Sequence, residues 1–376
     1  SDKDLDLLKT SCVGGSTTVA AGNGVRVLED ELNEKGIAIS KEFDEIEELL
    51  QIHEMDDSHI GKGTQKFIEI ANKLNLNPIK MPKFIKEESC IPCGKCAFGC
   101  PQDAKWTSKD FIKIAIENGA KLLDNTEVIE IATEKDIVKG VYISNKSDNN
   151  NKNIKFIESD LVILSAGAVN SAILLQKSGI KEAGKKFFMD PFVTIGGILK
   201  GIGFNKEVQM NALVESKSQN FILAPHYAQG IANELKLKLK EQESEQELKE
   251  ELSDEDILSI MVKVPDDSYG EIVDGKVIKT NSIKDIKYIA EGSAVAGSIL
   301  VEAGVNPNSI VSTHLRGAHP GGTAAIGELV DNNLETKIKG LFVSDASVLP
   351  QSPGAPPILT ILALSKRLSK YIIANK

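Results

Sequence analysis

Four of the five cysteines in this sequence lie within eleven residues, and their spacing is typical of one kind of metal chemistry. The run reads Cys90-x2-Cys93-x2-Cys96-x3-Cys100-Pro101. Short spacings of this kind let successive thiolates wrap one small inorganic core, and bacterial ferredoxins use this spacing. The run therefore predicts a [4Fe–4S] cluster held by these four cysteines.

Two other interpretations of the cysteine run are weaker. Zinc sites usually combine two separated Cys-x2-Cys knuckles, and this sequence has no second knuckle. Plain free thiols would need four cysteines to take these offsets by chance. The fourth cysteine of such a run can serve another cluster in two-cluster ferredoxins, so the fourth ligand is open between Cys100 and Cys12. Cys100 is nearer in sequence and is preferred.

The overall composition excludes several kinds of partner. The 376 residues suffice for one large or two medium domains. Lys and Arg number 44 against 54 Asp and Glu, and the net charge of −10 disfavours nucleic acid and anionic membrane surfaces as partners. No apolar run approaches the ~20 residues of a membrane span. Residues 1–6 are acidic and resemble no targeting peptide, so we expect a cytoplasmic protein without a transmembrane span.

The hydrophobic pattern predicts helices in the first third of the chain, after a loop of small residues at 11–26. Three amphipathic helices are expected, the first capped by Ser40, the second capped by Thr64 and the third beginning near Ser108. The first should bury Phe43 and Ile46, among others. The third should end at Gly119 and bury Phe111, Ile112 and Ala115.

The pattern then changes to strands. Residues 121–131, 138–145 and 154–157 read as strands, with 146–153 as a polar hairpin loop. Two fully apolar strands, 161–165 and 341–344, each run into a turn and a helix, which is typical of α/β proteins. The region between them is mixed, with strands around Ile195, Ile222 and Met261 and a charged helical stretch at 233–256.

Three blocks of sequence together resemble the glucose–methanol–choline (GMC) oxidoreductases. The first is the loop 12–26, which begins Cys12-Val13-Gly14-Gly15-Ser16. The second is the strand, Ala166-Gly167 turn and helix at 161–180. The third and most specific starts at His319-Pro320-Gly321-Gly322-Thr323 and continues through 340–350 to the closing helix, 357–373. Residues 93–105 further resemble the long-chain alcohol oxidase branch of this family.

The resemblance implies an FAD site and assigns residues to it. In the family the first loop lies against the flavin ring, the strand–Ala-Gly–helix element lies beside the nucleotide, and a backbone group at the position of Val128 pairs with adenine. Two of these positions have simpler alternatives, since Asp345 could just cap its turn and Val128 could be an ordinary strand residue. The implied cofactor-binding residues are Gly14, Gly15, Ser16, Asn23, Val128, Ala166, Gly167, Asp345, Ala346 and Thr360.

His319 matches the catalytic histidine of the family. Alcohol oxidation needs a base for the hydroxyl proton, and the pKa of imidazole lies near working pH. His314, five residues earlier, is the alternative base. His226 is expected to line the substrate cavity.

Two departures from the family pattern stand out. The family's strand, Gly-x-Gly-x-x-Gly and helix, which cradle the FAD pyrophosphate, are absent from this sequence, so the Rossmann unit is expected to be missing. Either a separate chain supplies it or the gene product is incomplete. The second departure is Pro356, which stands where the family usually has Asn or His. Proline has no side-chain donor, so a second hydrogen bond to the substrate oxygen must come from elsewhere.

Together these features predict an FAD-dependent dehydrogenase acting on CH–OH groups. Electrons from an alcohol would pass through the cluster to an external acceptor. The alternative is a catalytically inactive electron-transfer subunit or an incomplete gene product. The expected fold class is α/β plus α+β, a truncated GMC-type FAD-binding domain with an antiparallel-sheet substrate domain.

The same reasoning divides the chain into segments. The discontinuous FAD-binding domain is expected at 1–30, 120–180 and 330–376, and the substrate domain at 181–329. Between the parts of the FAD-binding domain we expect a helical segment at 31–84, the cysteine loop at 85–106 and a connecting helix at 107–119.

Overall fold

The computed structural model describes residues 6–145, 154–216, 220–241 and 252–375. Its main element is an eight-stranded sheet in the order β1–β16–β9–β12–β11–β10–β3, with β15 also paired to β9. All pairings in this sheet are antiparallel except that of β1 with β16. The strands are β1 (Asp6–Leu7), β2 (His53–Glu54), β3 (Ile79–Lys80), β4 (Pro82–Lys83), β5 (Thr126–Glu134), β6 (Ile137–Asn145), β7 (Lys155–Glu158), β8 (Val162–Leu164), β9 (Phe188–Ile198), β10 (Ala212–Ser216), β11 (Phe221–Pro225), β12 (Ile257–Lys263), β13 (Glu271–Val273), β14 (Lys276–Ile278), β15 (Val311–Ser312), β16 (Arg316–Gly321) and β17 (Leu341–Val343).

Helices cover one face of the main sheet and form a second core around a small parallel strand pair. The helices are α1 (Glu29–Glu34), α2 (Ser40–Leu50), α3 (Lys62–Lys73), α4 (Lys109–Glu117), α5 (Gly167–Lys177), α6 (Gln229–Glu241), α7 (Ile283–Glu302) and α8 (Ile358–Asn375). Buried apolar residues of α3 and α7 pack on β9 and β12. A separate core joins α2, α5 and α8 to the parallel pair β8–β17. The fold is therefore mixed α/β with antiparallel sheets, as the sequence predicted.

Most predicted strands and helices are confirmed, with shifts at their ends. The strand predicted at 121–131 begins only at Thr126, and Leu122 and Leu123 are exposed. The charged stretch predicted as a helix at 233–256 is helical as α6, but residues 254–256 form a 3-10 turn that leads into β12. Residues 242–251 of that stretch, and the predicted hairpin loop at 146–153, lie outside the described residues.

The two predicted helix caps are wrong, whereas the third helix begins next to Ser108 as predicted. Ser40 is the first residue of α2, not its cap, and its hydroxyl donates to Glu29. Thr64 lies inside α3. In the first turn of this helix the amides of Gly63 and Thr64 donate to the carboxylate of Glu207, which is far away in sequence. Ser108 directly precedes α4, and its hydroxyl donates to the carbonyl of Gly14. At Ser40 and Thr64 a partner from another part of the chain, which spacing along the chain cannot reveal, competes with the local cap.

The predicted burial of α4 is also wrong. No residue of α4 is buried within the described structure, and Ile114 and Ile116 are about half exposed. The amphipathic pattern is present, but among the described residues its apolar face is covered only in part, where Phe111 packs against Trp106.

Candidate functional site

Helices α3 and α7 cover one face of the main sheet, and the opposite face carries charged and polar groups beside α6. Side chains alternate along a strand, so Leu258, Ile260 and Val262 of β12 pack towards α3 and α7, whereas Met261 and Lys263 point to the opposite face. Residues paired directly across strands share a face, and Lys263 pairs with Phe192 of β9. We call this second face the site face.

An irregularity in β16 brings His319 onto the site face. Ala318 pairs with Asp190 and Gly321 pairs with Phe188, so three steps along β16 match two along β9. Without this β-bulge, alternation along the strand would point His319 to the face opposite that of Ala318. The bulge interrupts the alternation and turns His319 towards the site face. His319 takes a φ of +54°, a left-handed conformation that non-glycine residues adopt rarely.

Asp190 holds His319 in one orientation and one tautomer. The Nδ1 of His319 lies 2.6 Å from Oδ2 of Asp190, whose side chain is fully buried. A carboxylate only accepts, so Nδ1 carries the proton and Nε2 is left as the acceptor. The other carboxylate oxygen accepts from the hydroxyl of Ser352 at 2.5 Å and the amide of Gly354 at 3.1 Å.

Lys263 approaches the free nitrogen of His319. Its Nζ lies 3.5 Å from Nε2 and 5.6 Å from the centroid of the Phe192 ring, and the residue is 3% exposed. Burial lowers the pKa of Lys263 to about 8, although the charge of Asp190 acts in the opposite direction. Burial and the nearby Lys263 charge lower the pKa of His319, although Asp190 opposes them.

His226 lies on the same face, directly after β11. Its Nδ1 is 3.3 Å from the hydroxyl of Thr194, and its backbone amide donates to Ser259. Burial lowers the pKa of His226 to about 4, and the charges of Lys263 and Arg316 add to that effect. The imidazole is therefore neutral at physiological pH.

Apolar side chains surround these polar groups and come from distant parts of the chain. The core of this cluster is Met81, Phe192, Met210, Leu213, Ile222, Ala224 and Met261, with Ala21, Val25, Ala318 and Ala355 packed against it. The loop 11–26, the residue before His319 and the residue before Pro356 thus meet over the site face. Pro356 itself is buried.

The predicted ring-binding loop packs against the region that follows the cysteines. Gly14 accepts from the hydroxyls of Thr17 and Ser108. Gly15 and Ser16 are exposed, and Gly15 has a φ of +58° with open space where a side chain would lie. Asn23 is buried, and its side-chain oxygen accepts from Nζ of Lys83 at 2.5 Å.

Asp345 ties β17 to the start of α5. Its carboxylate accepts from the amides of Gly167 and Ser347 and from the hydroxyl of Ser171 at 2.6 Å. It therefore performs the turn-capping role that the sequence offered as its alternative. Beside it, Ala166 donates its amide to Ser171.

The other predicted cofactor-binding residues lie in three places. Ala346 follows Asp345 and accepts from the amide of Gly322. Thr360 is fully buried in α8, and its hydroxyl donates to the carbonyl of Val27. Val128 is paired in β5 with Ile143 and is 36% exposed.

The alternative base, His314, lies apart from the Asp190–His319 pair. It is about half exposed, and its Nε2 lies 2.6 Å from the carboxylate of Asp6. The described structure gives it no buried acceptor or donor of the kind that orients His319.

The four clustered cysteines line one small pocket, which is partly open to solvent. Gln102, Lys105 and Val208 also line it, whereas Cys12 is exposed and does not. Burial raises the pKa of Cys90 to about 11. Among the described residues no group of three or more His, Cys, Asp or Glu side chains is arranged to hold a metal ion.

Two buried lysines lie between the cysteine loop and the loop 11–26. Lys83 is fully buried and donates to Asn23 and to the carbonyls of Ala21 and Gln209. Lys105 is 3% exposed and donates to four backbone carbonyls, those of Thr17, Thr18, Ala20 and Cys96. Neither forms an ion pair with a carboxylate of the described residues.

Comparison with known proteins decides which family combines these features. A sequence model described as GMC oxidoreductase matches residues 4–210, and the model of the C-terminal part of the same family matches residues 280–365. The chain belongs to the GMC oxidoreductase family. The resemblance inferred from the three sequence blocks is thereby confirmed.

Relatives within the GMC family differ in length. "Uncharacterized protein MJ1450" of Methanocaldococcus jannaschii is 33% identical over 373 residues, which are 99% of this chain and 89% of that protein. The long-chain-alcohol oxidase FAO4B of Arabidopsis thaliana is 24% identical, and the match spans 99% of this chain but 59% of the plant protein. Pyridoxine 4-oxidase from Mesorbium loti has the same fold, with a TM-score of 0.69 and 13% identity over 96% of this chain and 84% of that one.

Sequence reasoning missed Asp190 and Lys263. Each is a charged residue in a mainly apolar strand. This pattern is the sequence signal that could have identified them, because Asp and Lys are almost never buried without a role or a partner.

None of the helices in the described part of the chain is long and apolar enough to cross a membrane.

Proposed function

We propose that this GMC oxidoreductase uses FAD to oxidise the CH–OH group of an alcohol, with His319 as the base. The observation that carries the proposal is the buried Asp190–His319 pair on the site face. The pair leaves Nε2 as the acceptor, on the face where the loop 11–26 also packs. The relatives of this chain include a long-chain-alcohol oxidase, which supports an alcohol as substrate.

The residues present fit a flavin. Gly15 and Gly167 have positive φ and open space at the Cβ position, so a ligand could approach their backbone closely. Thr18 in the loop and Ser347 beside Asp345 have buried hydroxyl oxygens without a hydrogen-bond partner in the described structure. Unpaired buried hydroxyls are costly, and ligand atoms would satisfy them. The loop would hold the ring, and Asp345 and Gly167 would hold the adjoining chain.

The protein's part of the reaction follows from the pair. His319 Nε2 accepts the hydroxyl proton of the alcohol, and Asp190 stabilises the imidazolium that forms. FAD, when bound, supplies the acceptor for the hydride. The apolar cluster excludes water from the reacting carbon, which strengthens the electrostatic effect of Asp190.

Replacement of His319 tests this proposal. In protein reconstituted with FAD, His319→Ala should slow flavin reduction by an alcohol about 10²–10⁴-fold, the usual contribution of a positioned base. His314→Ala is the matched control and should leave the rate unchanged. The readout is the bleaching of flavin absorbance under anaerobic conditions. Equal rates in His319→Ala and the parent would refute the role of His319, and a parent that no alcohol reduces would favour an electron-transfer subunit.

We further propose that a strand–Gly-rich-loop–helix unit completes the FAD site at β8. Among the described residues β8 pairs only with β17, and Ile163 in its centre is 46% exposed. Parallel sheets are normally buried on both faces and extend beyond two strands. The sequence contains no complete Gly-x-Gly-x-x-Gly motif to bind the pyrophosphate. An added parallel strand at β8 would cover Ile163 and bring such a motif to the start of α5.

The cysteine loop is proposed to hold a [4Fe–4S] cluster that relays electrons to an external acceptor. Support comes from the shared cavity and from the charges around it. A cluster with four thiolate ligands is anionic, and its charge would favour the protonated forms of the buried Lys83 and Lys105, although burial lowers the pKa of Lys83 to about 7 and that of Lys105 to about 8. Neither amine has a carboxylate partner in the described structure. The four thiolates of a cubic cluster bind four different iron atoms. Their sulfur atoms therefore lie farther apart than the ligand atoms around a single metal ion.

Iron analysis tests the cluster. Protein purified without oxygen should carry about four irons per chain, and Cys96→Ser should lower that content. Cys12→Ser is the control and should leave it unchanged. Zinc alone in the parent, or an equal loss in the Cys12 variant, would contradict the assignment.

A further inference from the structure

Lys263 is a buried amine that the mechanism above does not use. Lys263 is the last residue of β12, and it pairs with Phe192 of β9 on one side and with Ile222 of β11 on the other. No carboxylate of the described residues lies within ion-pair distance of its Nζ, and His319 is its polar neighbour. A buried charge without an ion pair is costly, and an apolar side chain of the same length would be more stable there. The position is therefore better explained by chemistry than by stability.

The geometry around Pro356 leaves a role for this amine. The turn before Pro356 is tied to Asp190, since the amide of Gly354 donates to that carboxylate. The turn therefore reaches the same side of the site as His319, but proline contributes no side-chain donor. Lys263 reaches this region from β12. Its protonated amine carries three N–H donors and no acceptor.

We propose that Lys263 is a catalytic residue that donates a hydrogen bond to the substrate oxygen, next to His319. The assignment rests on the proposed alcohol oxidation. The 3.5 Å between Nε2 and Nζ would widen to admit the oxygen between them. The O–H bond breaks and its proton moves to Nε2, the hydride leaves the carbon for the flavin, and the C=O bond forms. Lys263 keeps its proton and stabilises the negative charge that develops on oxygen.

The surrounding charges give this role a pH signature. Asp190 on β9, His226 after β11, and Arg316 and His319 on β16 are the charged or titratable groups that face Lys263. Because burial lowers the pKa of Lys263 to about 8, the ammonium form should be lost just above neutral pH. The rate should therefore fall above pH 8, in addition to any fall on the acid side caused by protonation of His319.

The test compares Lys263→Met, Lys263→Arg and the exposed control Lys276→Met in FAD-reconstituted protein. Lys263→Met should lower the rate constant of flavin reduction about 10²–10³-fold, as loss of an oxyanion donor does, with a smaller effect on KM. The fall above pH 8 should disappear in that variant and move to higher pH in Lys263→Arg. The acid limb should move to higher pH in Lys263→Met, because the Lys263 charge lowers the pKa of His319.

A second readout is independent of turnover. With lysines labelled at Cε, the NMR signal absent from Lys263→Met should titrate near pH 8 in the parent. If the parent reduces flavin and Lys263→Met has the same rate and pH profile, the assignment is wrong and only the proposed function stands. If the parent reduces no flavin with any alcohol, the proposed function itself fails. A lower melting temperature with an unchanged pH profile would show that Lys263 is structural.

Discussion

His319 combines a functional side chain with an unfavourable backbone conformation. Its φ of +54° places it in the left-handed region, where a non-glycine residue costs on the order of 1 kcal/mol or more. The surrounding hydrogen bonds keep it there, since Asp190 accepts from the Nδ1–H of His319 and is itself anchored by Ser352 and Gly354. The bulge that orients the base therefore has a cost in stability.

This cost predicts an order of stability among variants that lack the imidazole. His319→Gly should be more stable than His319→Ala by about 1 kcal/mol, because glycine adopts positive φ without a Cβ clash. At the neighbouring Ala318, which is not among the positive-φ residues, Ala318→Gly should lower stability by about 0.5–1 kcal/mol. Urea denaturation measures both. An equal stability of the two His319 variants would show that the left-handed conformation is relaxed in solution.

Long-range capping fixes the position of α3 against the main sheet. The carboxylate of Glu207 accepts from the amides of Gly63 and Thr64 and from the hydroxyl of Thr64, at 2.6, 3.0 and 2.7 Å. It thus satisfies unpaired donors of the first turn and places a negative charge at the positive end of the helix. Burial raises the pKa of this carboxyl, and the three hydrogen bonds oppose that effect.

Loss of this cap should destabilise the protein. Glu207→Gln should lower the free energy of unfolding by about 1–2 kcal/mol. The side-chain amide of Gln would either point its N–H groups at the backbone amides of α3 or replace a charge-assisted hydrogen bond with a neutral one. Glu69→Gln, on the exposed side of the same helix and paired with Lys73, should change the free energy of unfolding by less than about 0.5 kcal/mol. Denaturant titration of both variants provides the comparison. Equal effects would mean that Glu207 does not stabilise α3.

Within the described part of the molecule, β8 leaves one strand edge open and α4 leaves most of its apolar side chains exposed. Both carry exposed apolar residues, with Ile163 in β8 and Ile114 and Ile116 in α4. The proposed nucleotide-binding unit would cover the β8 edge. Apolar surface left open in this way marks a site of association.

A charge at this edge should block the association. Ile163→Lys should weaken FAD retention when a strand–Gly-rich-loop–helix unit is supplied, because a lysine on the edge resists strand addition. Ile278→Lys, in the small β13–β14 hairpin, is a control with similar exposure and should have no effect. Flavin fluorescence after gel filtration measures retention. Undiminished retention in Ile163→Lys would place the unit elsewhere.

The sequence by itself determined the family, most of the elements and the cysteine run. These features depend on local patterns, namely apolar alternation, glycine turns and short spacings, which remain readable without knowledge of the fold. The caps predicted at Ser40 and Thr64 failed because Glu29 and Glu207 compete for these residues from other parts of the chain. The boundaries of the predicted domains and the cofactor roles remain predictions.

Only the tertiary structure decided which groups surround His319. Asp190 and Lys263 lie 129 and 56 residues away from it in sequence, and no motif connects the three. Strand pairing brings β9, β12 and β16 side by side, and one extra residue in β16 turns the imidazole to the face that carries the other two. Pairing register and bulges depend on contacts across the sheet, so they are not encoded in the local order of residues.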